Sequence, residues 1–326
     1  MYRGKRGWTG SVWLDLAQIC YKDGMQAVKM DCQAFPGIWR LDLEVEKWDL
    51  YTKYRENTGK EHIRGEELPD GYYHLVVHVW IRNSKGEYLI SQRAADCTIF
   101  PLKWECTGGS VIKGENSIEG AIRETKEEVG ITLLPGQGEL LFSKICGEID
   151  GTRFNNIMDV WLFNYDGEVS LDNATTAEVA DFRWMKTDEI KELYDRGDFV
   201  NTMDYFFCAF DTYKPDYSSI IGSIVKGNVD RPLGSFHPRH KEMAYPLNYG
   251  YVDGILAGDG AEQDVYIFGT AKPLDRFEGK VVAVFHRFND VEDKWIVSLD
   301  GKDIPDEIIL GDISFQEQFF YGKLYR

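Results

Sequence analysis

The chain has 326 residues, 43% of them hydrophobic and 28% charged, which is typical of globular proteins and too apolar for general disorder. Its 54 acidic and 37 basic residues give a net charge of −17, which disfavours binding to a nucleic-acid duplex. No apolar run reaches the ~18 residues of a membrane-spanning helix, and Asp15 interrupts the early apolar run that a signal peptide would need. The six cysteines are scattered without zinc or redox spacing, so we expect a reduced, cytoplasmic protein.

At roughly 150 residues per domain, the length predicts two domains or one large one. Residues 1–41 show no convincing periodicity, and this extension is assigned no role. The first domain is predicted over 42–212 and the second over 213–326. The segment Lys214–Ser219 has the composition of a linker between them.

The first predicted domain alternates strands and helices, which favours an α/β fold. Apolar residues at helical spacing predict a helix over 117–129, with Ser117 as N-cap and Gly130 as the stop. A second helix is predicted after Thr187 and a third over 203–213. Strands are predicted over 72–81, 87–93, 140–145, 157–165 and 182–185.

The second predicted domain consists mostly of strands and turns. Its strands are predicted over 223–229, 264–268, 280–286 and 294–298, and an amphipathic helix over 313–321 ends the chain.

The helix over 117–129 carries an unusual concentration of negative charge. Glu124, Glu127 and Glu128 stand at i, i+3 and i+4, so they share one face of the helix. A solvated glutamate-rich helix is a common alternative, but it does not explain glycines at fixed offsets. A divalent cation is the natural partner for such a face, so the pattern favours a metal site.

These residues resemble the Nudix box, Gly-x5-Glu-x7-Arg-Glu-U-x-Glu-Glu-x-Gly-U, where U is apolar. Gly109, Glu115, Arg123-Glu124, Glu127-Glu128, Gly130 and Ile131 supply every fixed letter, and Thr125 departs from the first apolar position. The resemblance covers about residues 42–200. It implies an α/β/α sandwich that hydrolyses a nucleoside di- or triphosphate derivative with Mg²⁺, or with Mn²⁺ as an alternative.

The same resemblance implies roles for individual residues. Glu124, Glu127 and Glu128 hold the metal, and Arg123 holds these glutamates in place. The catalytic base is one of the three glutamates or a loop glutamate such as Glu178, six residues ahead of Trp184. Gly108 and Gly109 let the backbone approach the substrate.

One alternative lies in the same superfamily. Residues 48–80 resemble sequences related to isopentenyl-diphosphate isomerase, which uses a cysteine and a glutamate. Cys106 precedes the box, and a small buried residue beside a strand is its simpler interpretation. The intact box favours hydrolysis.

The second domain contains two acidic clusters, each beside a predicted strand. Asp259 and Asp264 flank a glycine turn, and Asp290, Glu292 and Asp293 follow in a later loop. Metal ligation and ordinary aspartate-rich turns both account for such spacing.

This region, residues 223–326, resembles the family I soluble inorganic pyrophosphatases. Tyr245–Tyr251 matches their Tyr-Pro-x-Asn-Tyr-Gly-Tyr run, and Asp259–Asp264 matches Asp-Gly-Asp-Pro-x-Asp with Ala261 in place of the water-activating aspartate. The resemblance implies a small OB-like β-barrel. It also implies metal ligands at Asp259, Asp264, Asp290 and Asp293 (with Glu292 as the alternative), and pyrophosphate contacts from Lys294, Tyr245 and Arg239, with Asp230 in the place of an early glutamate.

The expected partners are therefore small diphosphate molecules, with no membrane and no nucleic-acid duplex, and a homodimer is left open. Because Ala261 removes a catalytic group, a phosphate-binding or assembly role for the second domain competes with catalysis.

Overall fold

The computed structural model of the protein describes residues 45–149, 152–210 and 215–326. The predicted extension 1–41, the end of the helix predicted over 203–213 and the first linker residue lie outside the described residues. Within the described residues no helix is long and apolar enough to cross a membrane.

A two-stranded hairpin and a seven-stranded sheet make up the first half of the fold. In the sheet the order is β5-β4-β3-β8-β7, with β6 on β3 and β9 on β4, and β3 runs parallel to β8. The strands are β1 (Lys47–Tyr51) and β2 (Asn57–Ile63) in the hairpin, and β3 (His74–Arg82), β4 (Tyr88–Arg93), β5 (Trp104–Glu105), β6 (Thr107–Ser110), β7 (Gly138–Ile149), β8 (Thr152–Asn164) and β9 (Val179–Met185) in the sheet.

Helices cover both faces of this sheet. Helix α1 (Ser117–Val129) packs on the face formed by Leu75, Val77, Val79 and Ile81. Helices α2 (Thr187–Asp195) and α3 (Phe206–Ala209) pack on the other face, around Trp80. The expected layering of an α/β/α sandwich follows from this alternation along β3.

The ends of α1 are fixed by its own residues. Gly130 ends the helix in the left-handed region, at φ 71°, as predicted. The N-cap is Asn116 rather than the predicted Ser117, because the Asn116 side chain accepts from the Glu119 N–H while Glu119 accepts from the Asn116 N–H. Ser117 instead accepts a hydrogen bond from Trp161 Nε1.

The second half of the fold contains a closed five-stranded barrel. Strands pair in the order β10-β11-β12-β14-β13, and β13 returns to β10, with β12 and β14 parallel. The elements are β10 (Ile224–Arg231), β11 (Asn248–Leu256), β12 (Glu262–Phe268), β13 (Arg276–Arg287), β14 (Lys294–Ser298), α4 (Asp306–Glu317) and β15 (Gly322–Tyr325). The barrel was expected, but the last helix starts and ends earlier than the predicted 313–321.

The sheet and the barrel are in direct contact. Tyr54 lies so close to Gly311 on α4 that a Cβ there would come within 2.5 Å of its ring. The Tyr54 hydroxyl donates to Asp312 (2.9 Å). On the other side, Tyr321 of the barrel packs against Tyr205, with ring centroids 5.3 Å apart. The backbone can approach this closely only because Gly311 has no side chain.

Candidate functional site

The carboxylates of α1 lie against the glycine strand β6. The Gly108 N–H donates to Glu128 Oε2 (3.3 Å). A Cβ added to Gly109 would come within 2.4 Å of Glu124 Oε1. Two adjacent glycines therefore allow the strand backbone to lie against two glutamates.

Arg123 clamps this face of the helix from one side. Its guanidinium donates to Glu115 (3.0 Å), Glu124 (3.0 Å) and Glu127 (2.9 Å). It also donates to the Ser110 carbonyl (2.9 Å), which ties α1 to β6. A planar guanidinium with five donors suits this fourfold contact, whereas a lysine ammonium does not.

The electrostatics of the glutamates are strongly perturbed. Burial raises the pKa of Glu124 to about 7. Repulsion from Glu127 and Glu178 contributes to this rise, and attraction to Arg123 opposes it. Burial also raises the pKa of Glu128, with further repulsion from Glu124, Glu105 and Glu178. Burial also raises the pKa of Glu178, which is half-buried. These side chains are therefore close enough to repel one another in a site of low dielectric.

The donor set fits a divalent cation. Six carboxylates (Glu105, Glu115, Glu124, Glu127, Glu128 and Glu178) stand against three guanidiniums, Arg64, Arg93 and Arg123. Hard oxygen ligands with excess negative charge are what Mg²⁺ and Mn²⁺ prefer. Across the described ranges no three such side chains form a ready-made cation cage, and Arg123 holds Glu124 and Glu127 through its own hydrogen bonds.

Glu178 is fixed by its backbone. Its carbonyl accepts from the Ala94 N–H (2.7 Å) and from Cys97 Sγ (3.6 Å), which joins the loop before β9 to the loop after β4. Glu105, which the sequence analysis did not single out, pairs with Arg93 (2.5 Å). Because Arg93 and Glu105 lie on two separate strands, no local sequence pattern predicts that they pair.

Cys106 and Thr125 lie in apolar surroundings. Cys106 is 1% exposed and contacts Met203 Sδ (3.7 Å), and burial raises the pKa of its thiol. Such a thiol is poorly suited to nucleophilic or acid–base chemistry at neutral pH. The Thr125 hydroxyl donates to the Ala121 carbonyl (2.8 Å), so this departure from the box is satisfied inside the helix.

In the barrel, several predicted residues meet around Lys294. This lysine is 1% exposed and pairs with Asp264 and Glu292, and it donates to the Tyr249 hydroxyl (3.1 Å). Tyr249 in turn donates to Asp264 and packs on Tyr245. Ala261 donates its N–H to Asp259 (2.9 Å).

Other predicted barrel residues lie apart from Lys294. Asp290 accepts from Arg287 (2.8 Å), a buried guanidinium that also pairs with Glu317. Asp293 accepts from Tyr217 and contacts His286 (2.7 Å), so Glu292 rather than Asp293 stands beside Lys294. Neighbouring residues of an extended segment point to opposite sides, which accounts for the difference.

Two further predicted residues lie on β10 and the loop after it. Asp230 pairs with Arg231 (2.7 Å), whose guanidinium lies 5.2 Å from the Tyr249 ring centroid. Arg239 is in an exposed loop, where its N–H donates to His237 Nδ1 (3.2 Å). Arg287 and Glu317, which pair with each other beside Asp290, are neighbours that the sequence analysis did not single out.

A mixed α/β sandwich whose first helix presents this motif beside a glycine strand has the architecture of a Nudix hydrolase. The NUDIX domain model matches residues 72–208. An uncharacterised Nudix hydrolase of Listeria innocua is 39% identical over 165 residues, covering 50% of this chain and 91% of the relative. The chain therefore belongs to the Nudix hydrolase family and is a hydrolase.

Two further comparisons give the range of similarity. Nucleoside triphosphatase NudI of Klebsiella pneumoniae is 32% identical over 116 residues, covering 34% of this chain and 81% of that protein. The crystal structure of DR0079 from Deinococcus radiodurans has a TM-score of 0.41 at 20% identity, covering 51% of this chain and 100% of that one.

Proposed function

We propose that the sandwich hydrolyses a phosphoric anhydride in a nucleoside di- or triphosphate derivative with the help of Mg²⁺, or Mn²⁺ as an alternative. The observation that carries this proposal is the buried group of glutamates around α1, which has too few cationic partners inside the protein. A bound divalent cation would neutralise the diphosphate and acidify a water molecule.

The residues of the chain have separate tasks in this proposal. Glu124, Glu127 and Glu128 supply the oxygen ligands. Arg123 orients those carboxylates through its hydrogen bonds and does not touch the substrate. Glu178 is our candidate for the base, because its carboxylate is half-buried, has a raised pKa and lies on the loop that faces Glu124 and Glu128.

For the barrel we propose binding or slow hydrolysis of pyrophosphate, in a second unit over 213–326 that follows a first unit over 42–212. The support is the cluster of Lys294, Asp264, Glu292 and Tyr249, which combines a cation with metal-type ligands. Asp259 and, further from Lys294, Asp290 are assigned as additional metal ligands, and Tyr245 and Arg239 are assigned to pyrophosphate. Ala261 offers no base, so turnover there is expected to be slow.

A barrel that takes pyrophosphate favours a particular first reaction. Attack at the α-phosphate of a nucleoside triphosphate releases pyrophosphate, and its removal pulls that reaction forward. Hydrolysis of a dinucleotide-like diphosphate into two monophosphates releases no pyrophosphate, so a barrel that removes pyrophosphate would not favour it. The relative from Klebsiella pneumoniae is named a nucleoside triphosphatase, which agrees with a triphosphate substrate.

We place the protein in a reducing compartment such as the cytoplasm. Cys97, Cys106, Cys146 and Cys208 are free thiols in the described residues, and free thiols are typical of such compartments.

The test is a screen of nucleoside diphosphate and triphosphate derivatives with the full chain, with and without Mg²⁺. Phosphate-containing products are separated and identified for each compound. We expect Mg²⁺-dependent hydrolysis of at least one nucleotide that Glu128→Gln slows by at least ~100-fold. Equal rates in both proteins would refute the site.

A further inference from the structure

The hairpin of β1 and β2 lies against the turn that leads into α1. This hairpin precedes residues 72–208, the part of the chain that matches the NUDIX domain model. The turn runs from Ile112 to Glu115, and the Glu115 N–H donates to the Ile112 carbonyl (3.1 Å). Gly114 is its third residue, at φ 87°, a conformation that favours glycine. The first glutamate of the motif, Glu115, is therefore the last residue of this turn.

Strand β1 accepts hydrogen bonds from both N–H groups in the middle of the turn. The Lys113 N–H donates to the Lys47 carbonyl (2.7 Å), and the Gly114 N–H donates to Asp49 Oδ2 (2.8 Å). The carboxylate of Glu61 on β2 also pairs with the ammonium groups of Lys47 and Lys113. The backbone of the turn is thus fixed to the hairpin at two successive residues.

The hairpin is attached to the sheet independently of these bonds. Trp48 stacks on His74 of β3, with ring centroids 4.1 Å apart. Tyr51 and Tyr73 exchange two backbone hydrogen bonds, of 2.8 and 2.9 Å. Because these contacts do not involve the Asp49 carboxylate, its removal is expected to leave β1 in place.

Glu115 connects the turn to the carboxylates of α1. Arg123 Nε donates to both carboxylate oxygens of Glu115 (3.0 Å each), and Arg123 Nη1 donates to Glu124 and Glu127. One guanidinium is therefore shared between Glu115 and two glutamates that are proposed to hold a divalent cation. Without Glu115, the whole charge of Arg123 would act on Glu124 and Glu127 and compete with the cation for their oxygens.

We propose that Asp49 is a positioning residue of the hydrolase site, which holds the turn so that Glu115 accepts from Arg123 Nε. The inference rests on the proposed function, because that function assigns Glu124 and Glu127 to the cation. Asp49 acts through the turn and needs no contact with the cation or the substrate. In this arrangement a hairpin outside the NUDIX match raises the affinity of the site for Mg²⁺.

The experiment compares Asp49→Ala, which removes the acceptor, with Asp49→Asn, which keeps an acceptor oxygen without the charge. Asp166→Ala is the matched control, because Asp166 Oδ1 accepts from the Ser84 N–H at the same distance (2.8 Å) in the turn after β3. Nuclear magnetic resonance measures solvent exchange of the Arg123 Nε proton in the metal-free full chain. Calorimetry measures Mg²⁺ affinity, with Asp264→Asn present throughout to remove binding by the barrel.

We expect Asp49→Ala to speed exchange of the Arg123 Nε proton by at least ~10-fold, because the turn opens more often. Mg²⁺ binding should weaken by about 10-fold, the lower end of the usual effect of losing a group that orients metal ligands. Asp49→Asn and Asp166→Ala should match the wild type in both measurements. In a chain that already carries Glu115→Ala, adding Asp49→Ala should change neither quantity, because both act through one contact.

Unchanged proton exchange in Asp49→Ala overturns the inference, and so does unchanged Mg²⁺ affinity when the wild type binds Mg²⁺. A lower unfolding temperature as the sole effect also overturns it, because Asp49 then stabilises the hairpin only. An equal effect of Asp49→Ala with Glu115→Ala present overturns it as well, since Asp49 then acts by another route. Absence of Mg²⁺ binding in the wild type refutes the proposed function instead, and the metal-free proton exchange still decides whether Asp49 positions Glu115.

Discussion

The Cα of Gly109 lies directly against the carboxylate of Glu124, and a Cβ at this position would come within 2.4 Å of Glu124 Oε1. This contact explains why the motif requires glycine here without invoking an unusual backbone conformation. A methyl group at position 109 would displace only the end of the Glu124 side chain. A substitution here should therefore move the carboxylate without unfolding the protein.

Gly109→Ala is expected to lower turnover by about 100-fold, since a shift of about 1 Å in a catalytic group costs that much. Thermal unfolding should change little, because Glu124 can move aside. Gly136→Ala is the control, as no atom lies within 4 Å of its Cβ position. Wild-type turnover in Gly109→Ala would show that the position of Glu124 does not matter.

Arg123→Lys is expected to lower turnover by about 10–100-fold, the usual effect of losing a residue that orients metal ligands. The lysine keeps the charge but cannot contact Glu115, Glu124 and Glu127 together. Steady-state kinetics over a range of Mg²⁺ concentrations measures the effect. Arg196→Lys, at an exposed arginine, should behave as the wild type, and an equally active Arg123→Lys would contradict the clamp.

Cys106→Ser is expected to leave hydrolysis within about tenfold of the wild type, because no thiolate step is required. The buried thiol with its raised pKa supports this expectation. Product analysis accompanies the kinetics, since hydrolysis splits the diphosphate and isomerisation does not. Abolished activity in a folded protein would favour the isomerase-like alternative.

Much of this site could be predicted from the spacing of residues along the sequence. Helix α1 occupies the predicted residues 117–129, because helical periodicity and an αL glycine at its end are local signals. The three glutamates and Arg123 share a face for the same reason. The predicted N-cap of α1, Ser117, was wrong by one residue. Asn and Ser are both good N-caps, and only the capping box distinguishes Asn116 from Ser117.

Contacts between distant segments could not be read from the sequence. Hairpin β1–β2 was not predicted, because a polar run such as Asn57–Ile63 has no apolar alternation. The pairing of Glu105 with Arg93 and the packing of Tyr321 on Tyr205 both depend on tertiary structure. Sequence spacing carries no information about such approaches.

The barrel makes a separate prediction about pyrophosphate. In a chain that also carries Glu128→Gln, so that phosphate release reports the barrel, Ala261→Asp should raise pyrophosphate hydrolysis by supplying the missing base, an effect of about 10²–10⁴-fold. Asp264→Asn should abolish the remaining rate, and Asp303→Asn, at an exposed aspartate, should not. Fast hydrolysis with Ala261 in place, or no pyrophosphate binding with Mg²⁺ by calorimetry, would refute the barrel proposal.

The central claim is that the buried carboxylates of α1 hold a divalent cation. Calorimetric titration of Mg²⁺ into the metal-free chain tests it most directly, with Asp264→Asn present throughout to remove binding by the barrel. We predict that the chain with α1 intact binds Mg²⁺ and that adding Glu124→Gln and Glu128→Gln weakens binding by more than ~10-fold. Equal Mg²⁺ affinity in the two proteins would contradict the account.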